Sequence, residues 1–145
     1  MYFMSMPKKL QKKGKSNSPK RNFNYLCELA EKLRSDTGCP WDREQTLASM
    51  LECIEEEAQE VCEAIKNGDH ENLKEELGDV LFQVVMIAQI AKEHGYFTME
   101  DVTAAIAEKI ISRHTWVFGN DKAKTPEEAI AMWKRNKEVE KAKKS

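Results

Sequence analysis

Apolar side chains recur every three to four residues along most of the chain, and no stretch alternates cleanly enough for a strand. Leu26, Leu29, Ala30 and Leu33 share one helical face, which predicts a first helix from Phe23 to about Ser35. It stops at Ser35-Asp36-Thr37-Gly38-Cys39-Pro40, a string of turn formers. Asp42 with Gln45 three residues on reads as a capping box for a second helix, running from about Gln45 or Ala48 to Lys66. Asn67-Gly68 ends that helix. A third is expected from Asp69–Asn72 to about Glu93, and a fourth from the Thr98/Asp101 cap to about Arg113. Thr125-Pro126-Glu127-Glu128 gives a cap, a first-turn proline and early acids, opening a fifth. The expected fold class is all-α, a helical bundle with a four-helix core.

On the second helix, Leu51, Ile54, Ala58, Val61 and Ile65 form a stripe that should be its buried face, with Glu57 at the edge and Glu60 one turn on. The third helix carries no charge over the twelve residues Val80 to Ala91. Its apolar residues lie all round the axis, so it should run through the middle of the bundle. Directly before that stretch stand Glu76 and Asp79, again three residues apart.

Charge changes the picture. The 145-residue chain carries a formal charge of -2, yet Glu52 to Asp79 holds eleven acids against Lys66 and Lys74. Residues 1–22 hold seven basic residues and no acid, with no apolar periodicity, and are expected to form a basic disordered tail before a single domain over 23–145. The basic C-terminal end, KRNKEVEKAKKS, is expected to fray. A solvated tail is a simpler reading than a nucleic-acid contact. No run of about 18 apolar residues exists to span a membrane, and no secretory signal is visible. Cys27, Cys39, Cys53 and Cys62 have neither zinc-site nor disulfide spacing. Reduced thiols and a cytoplasmic setting are expected.

Two unit charges 4 Å apart repel by about 4 kcal/mol at an effective dielectric of about 20. Converging carboxylates beside a buried helix therefore need a cation or a proton. Glu57, Glu60, Glu76 and Asp79 are accordingly candidates for a site between two helices that holds a hard divalent cation, Mg²⁺ or Mn²⁺. The competing reading leaves these acids exposed and paired with Lys66, Lys74 and other bases.

Glu56-Glu57-Ala58-Gln59-Glu60 followed by Glu76-Leu77-Gly78-Asp79 resembles the E-E-x-x-E…E-x-x-D signature of the all-α nucleoside triphosphate pyrophosphohydrolases. Gly38-Cys39-Pro40-Trp41-Asp42, Glu44-Gln45-Thr46, the run Glu75 to Val85, and Arg113 to Gly119 narrow the resemblance to the MazG family, over about residues 23 to 135. That resemblance implies Mg²⁺-dependent cleavage of nucleoside triphosphates, standard or damaged, to a monophosphate and pyrophosphate, as in cleansing of a nucleotide pool. By position it implies Glu57, Glu60, Glu76 and Asp79 as metal ligands and Glu56 as an orienting acid. It also implies Lys109 and Arg113 on the phosphate side and Trp133 near the nucleotide.

Thr115-Trp116 departs from the family's usual Pro-His, and Cys53-Ile54-Glu55 from its usual lead-in to the paired glutamates. Physically, Lys109 and Arg113, one turn apart, can hold terminal phosphates or form a solvated basic edge. Trp133 can stack on a base or dock its helix, and His114 at a helix end reads as a cap. The apolar third helix and the resemblance both point to a homodimer or higher homo-oligomer. Two other readings stay open: a specialised substrate on the same fold (dUTP, dCTP or phosphoribosyl-ATP), and a non-enzymatic acidic helical adaptor.

Overall fold

The computed structural model describes residues 20–145, so the basic tail expected over 1–22 lies, up to residue 19, outside the described residues. Asn22 is already part of the fold: its side chain accepts a hydrogen bond from the Tyr25 amide and caps α1 (Phe23–Arg34). A short α2 (Pro40–Glu44) follows, then α3 (Met50–Asn67), α4 (His70–Glu93), α5 (Met99–Arg113), a single turn α6 (Thr115–Phe118) and α7 (Pro126–Lys144). The described residues are all-helical or loop, as the periodicity predicts. None of these helices is long and apolar enough to cross a membrane.

Each boundary has a local cause. Gly68 sits at φ 64° and closes α3 with its amide on the Ala64 and Ile65 carbonyls, a conformation that costs glycine little. Asp69 caps α4 through the Asn72 amide. Thr98 and Asp101 form the expected reciprocal capping box, and Thr125 caps α7.

Two expectations are corrected. Asp42 is not a cap: Pro40 starts a turn immediately after Cys39, and Asp42 lies inside α2. Gln45 instead bridges two segments, donating to the Trp41 carbonyl and accepting from Ser49 Oγ. Thr46 and Ser49 exchange amide–hydroxyl hydrogen bonds ahead of α3. In the C-terminal segment α7 runs to Lys144, and its Asn136 and Glu140 side chains bond to the end of α5 and the turn beyond.

The second correction concerns the face that α3 buries. Met50, Cys53 and Ala64 are its buried residues, whereas Leu51 and Ile65 from the expected stripe are 63% and 60% exposed. The chain folds back at Gly68-Asp69, so α3 packs along α4. Glu57, half-buried, falls on the same face of α3 as the buried Met50, Cys53 and Ala64, which sets it in the seam between the two helices. The central role of α4 holds: it packs against α1, α3 and α5, and buries Gln83, Val85, Met86, Ala88, Ile90 and Ala91. Ala30 of α1 joins Met50, Cys53, Val85, Met86 and Ile90 in one core cluster.

Arg34 ties the α1–α2 loop to this core. Its side chain is 8% exposed and binds the Glu93 carboxylate through Nε and NH2, at 2.7 Å for NH2. NH1 donates to the carbonyls of Asp42 and Gln45. All three guanidinium nitrogens are thus engaged, and burial of the charge is compensated. Gly38 allows the same loop to turn tightly, since a Cβ there would collide with the Leu33 and Lys32 carbonyl oxygens.

Candidate metal centre

The start of α4 sets Glu76 and Asp79 on one face, and α3 lays Glu57 against them. One carboxylate oxygen from each of Glu57, Glu76 and Asp79 can be chosen so that all three lie within 4.8 Å of one another. All three side chains are half-buried. Glu60, one turn along α3, is exposed and outside this trio, and Glu56 is exposed as well.

Nothing in the described residues neutralises the group. None of the ion pairs or side-chain hydrogen bonds involves Glu56, Glu57, Glu60, Glu76 or Asp79. Lys74, a candidate partner on the competing reading, pairs with Glu71 at 2.7 Å instead.

The electrostatic result is visible on each carboxyl. Burial, then the charges of Asp79, Glu76, Glu60 and Glu56, push the Glu57 pKa above the usual glutamate range. Burial and the charges of Asp79, Glu60 and Glu75 raise Glu76. Burial and Glu75 raise Asp79. Cys53, one turn before Glu57, has its thiol pushed up by burial and by neighbouring acids, including Glu56 and Glu52, so it stays protonated.

An all-carboxylate donor set of this kind suits hard cations that accept oxygen ligands and keep waters. Half-burial and the absence of a cationic partner both fit such an ion. Gln83, 7% exposed and one turn beyond Asp79, extends the same face of α4 with a neutral polar side chain that sequence reasoning did not single out.

The expected phosphate-side residues form a second group. Arg113 at the end of α5 is 12% exposed, lies with its guanidinium 5.1 Å from the Trp133 ring centroid, and pairs through Nε with Glu140 at 3.1 Å. Lys137 Nζ is 5.2 Å from the same ring. Trp133 therefore carries two cations and joins α7 to α5. Lys109 is exposed one turn before Arg113. Among the described residues no hydrogen bond or ion pair links this group to the carboxylates. His114 behaves as a helix-end residue, its Nδ1 2.6 Å from the Ile110 carbonyl oxygen. Glu140 and Asn136 were not singled out by sequence reasoning: their spacing from Trp133 on α7 marks one face, but the text of the sequence does not show what that face meets.

Comparison with known proteins identifies a family. Residues 45–118 match the model of the MazG nucleotide pyrophosphohydrolase domain. The nucleoside triphosphate pyrophosphohydrolase/pyrophosphatase MazG of Thermotoga maritima is 48% identical over 122 residues, which are 84% of this chain and 46% of that protein. The nucleoside triphosphate pyrophosphohydrolase of Escherichia coli K12 is 43% identical over 124 residues, 85% of this chain and 47% of that one. The chain thus spans about half the length of these relatives. A crystal structure of a mazG-related protein from Thermotoga maritima superposes with a TM-score of 0.67 at 34% identity, covering 79% of this chain and 98% of the other.

Proposed function

The chain belongs to the MazG nucleotide pyrophosphohydrolase family, and from that membership and the carboxylate trio we infer that it hydrolyses nucleoside triphosphates to a monophosphate and pyrophosphate. The observation that carries the reading is the convergence of Glu57, Glu76 and Asp79 with no cationic side chain among the described residues to offset them. Glu57, Glu76 and Asp79 hold Mg²⁺, or Mn²⁺ in its place, with Glu60 completing the ligand set and Glu56 orienting water or a ligand. The ion's contribution when bound is to neutralise phosphate charge and make a bound water more acidic.

The chain's own residues do the rest. Raised carboxyl pKa values mean that the trio gains from meeting positive charge, so the site favours a phosphate that arrives with its cation. Lys109 and Arg113 meet the terminal phosphates, where a guanidinium fork matches two oxygens at once. Trp133 supports that arginine and borders the nucleotide. The substrates are standard or damaged (d)NTPs, and the role is cleansing of the nucleotide pool. A cytoplasmic setting accords with the four unpaired cysteines.

The working unit in this reading is a homodimer. Leu51, Ile65, Leu77 and Leu81 on α3 and α4 are exposed, an apolar surface that the single chain leaves uncovered. Light scattering at micromolar concentration should return twice the chain mass, and a monomer would remove this part.

The catalytic part is tested by comparing acids. Glu76→Gln and Asp79→Asn should abolish metal-dependent pyrophosphate release, while Glu52→Gln and Glu63→Gln should retain it. Equal effects from all four would turn the reading toward an acidic adaptor surface.

A further inference from the structure

The two arginines with buried side chains are used differently. Arg34 spends all three nitrogens on protein acceptors: the Glu93 carboxylate and the Asp42 and Gln45 carbonyls. Arg113 is as well packed but is held at one nitrogen only, Nε, by Glu140 Oε2. Its NH1 and NH2 donate to no protein acceptor among the described residues. Nor does any buried side-chain nitrogen or oxygen among them lack a partner, so NH1 and NH2 must reach solvent. A guanidinium with Nε fixed, one face on an indole and its outer edge open is a preset fork for an oxyanion.

Glu140 is itself fixed. Its other carboxylate oxygen accepts from the Ser112 hydroxyl, next to Arg113 in the chain, and these bonds hold its pKa below the usual glutamate range. On the same face of α7, Asn136 Nδ2 donates at 3.0 Å to the Arg113 carbonyl and to Thr115 Oγ1, securing the end of α5. Trp133, Asn136, Lys137 and Glu140 fall at helical spacing, so one face of α7 serves the end of α5. This helix lies beyond the residues that match the family model.

We propose that Glu140 is a positioning residue, which with Trp133 sets the Arg113 guanidinium so that its NH1/NH2 edge meets the terminal phosphates of the substrate. The proposal rests on the reading that Arg113 is a phosphate-side residue. An arginine ordered in advance loses less side-chain freedom when the ligand arrives, so Glu140 lowers the substrate concentration needed without touching the reacting atoms.

The test is steady-state pyrophosphate release by wild type, R113A, E140A, E140Q and the E140A/R113A double variant, with helix content and Tm read for each. Calorimetric binding of the same nucleotide triphosphate reads the coupling independently of turnover. R113A and E140A should each raise KM or Kd by about tenfold with kcat changed less than about twofold. E140Q, which keeps an oxygen acceptor for Nε, should recover most of the loss. E140A should add nothing in the R113A background.

If R113A weakens binding and E140A does not, the arginine needs no such support and the positioning role is overturned while the phosphate role stands. If R113A itself has no effect, the phosphate role fails and the proposal falls with it. Equal losses from E140A in both backgrounds would also overturn it, since Glu140 would then act through something other than Arg113. Should E140A lower the Tm, E140Q and S112A, which removes the bond that fixes Glu140, decide the matter.

Discussion

Replacing Glu57 by glutamine removes a negative charge while keeping the side chain's shape, and among the described residues Glu57 makes no side-chain hydrogen bond or ion pair that would be lost with it. At a separation of 4.8 Å and an effective dielectric of about 20, each charged pair costs about 3.5 kcal/mol. The groups are only half-buried, and the same pair in bulk water costs about 0.9 kcal/mol, so the lower part of that range applies. Glu57 faces both Glu76 and Asp79, and the metal-free variant should therefore be more stable than wild type by about 1–2 kcal/mol. For a chain of this length that is a Tm rise of about 3–8 °C.

The pH dependence fixes the sign. A carboxyl whose pKa is raised on folding contributes stability below its unfolded pKa and loses it as pH rises through the folded value. Wild type and Glu57→Gln should thus be alike in acid and diverge above the ordinary carboxylate range. Calorimetry in EDTA from pH 4 to pH 8, repeated with MgCl₂ or MnCl₂ at matched ionic strength, reads both effects. The metal should stabilise wild type by about 1.4 kcal/mol at a tenfold excess over Kd, read as a higher Tm, and the variant much less. A variant less stable than wild type in EDTA at neutral pH, or one stabilised equally by the metal, would refute the reasoning.

Arg34→Ala should destabilise the fold by about 2–4 kcal/mol, because it leaves Glu93 without its cationic partner and two loop carbonyls without the Arg34 donor; a Tm within about 1 °C of wild type would contradict this. Arg34 holds the Glu93 carboxyl below its usual range, so this linkage is present at neutral pH and lost as pH falls through the depressed pKa. The penalty of Arg34→Ala should accordingly shrink in acid, as denaturant melts at two pH values would record. Gly68→Ala should cost about 1 kcal/mol from the strain of a side chain at φ 64°, measured as a shift in the urea midpoint at constant slope.

Helix boundaries were legible where capping chemistry is local. Asp69, Thr98, Thr125 and Gly68 act within a few residues of themselves, and each does in the fold what its neighbours in sequence imply. The face that α3 buries was not legible. Periodicity reports which residues avoid water, not which surface covers them, and Leu51 and Ile65 are as apolar as a core residue while Met50, Cys53 and Ala64 take the core positions. A second apolar face on a helix competes with the one turned inward, and in the proposed dimer it has its own use.

The carboxylates were legible as spacing and, with the resemblance, as a site. What the sequence did not show is that Glu57 lies in the seam, that Glu60 sits one turn farther along at the surface, and that none of the described lysines pairs with the trio. The Arg113–Glu140 pair joins residues 27 positions apart on separate helices, a contact that only tertiary packing creates. The contacts of α7 were hidden for the same reason: its net charge reads as solvent-exposed, while Trp133, Asn136 and Glu140 use one face for contacts that composition averages away.

The central claim is most directly tested by ³¹P NMR of a deoxynucleoside triphosphate turned over in ¹⁸O-labelled water with Mg²⁺ and again with EDTA. Monophosphate and pyrophosphate formed only with the metal, with the label on the monophosphate, is the result expected of attack at the α-phosphorus. Diphosphate and inorganic phosphate as products, label in the pyrophosphate, or equal turnover in EDTA would contradict it.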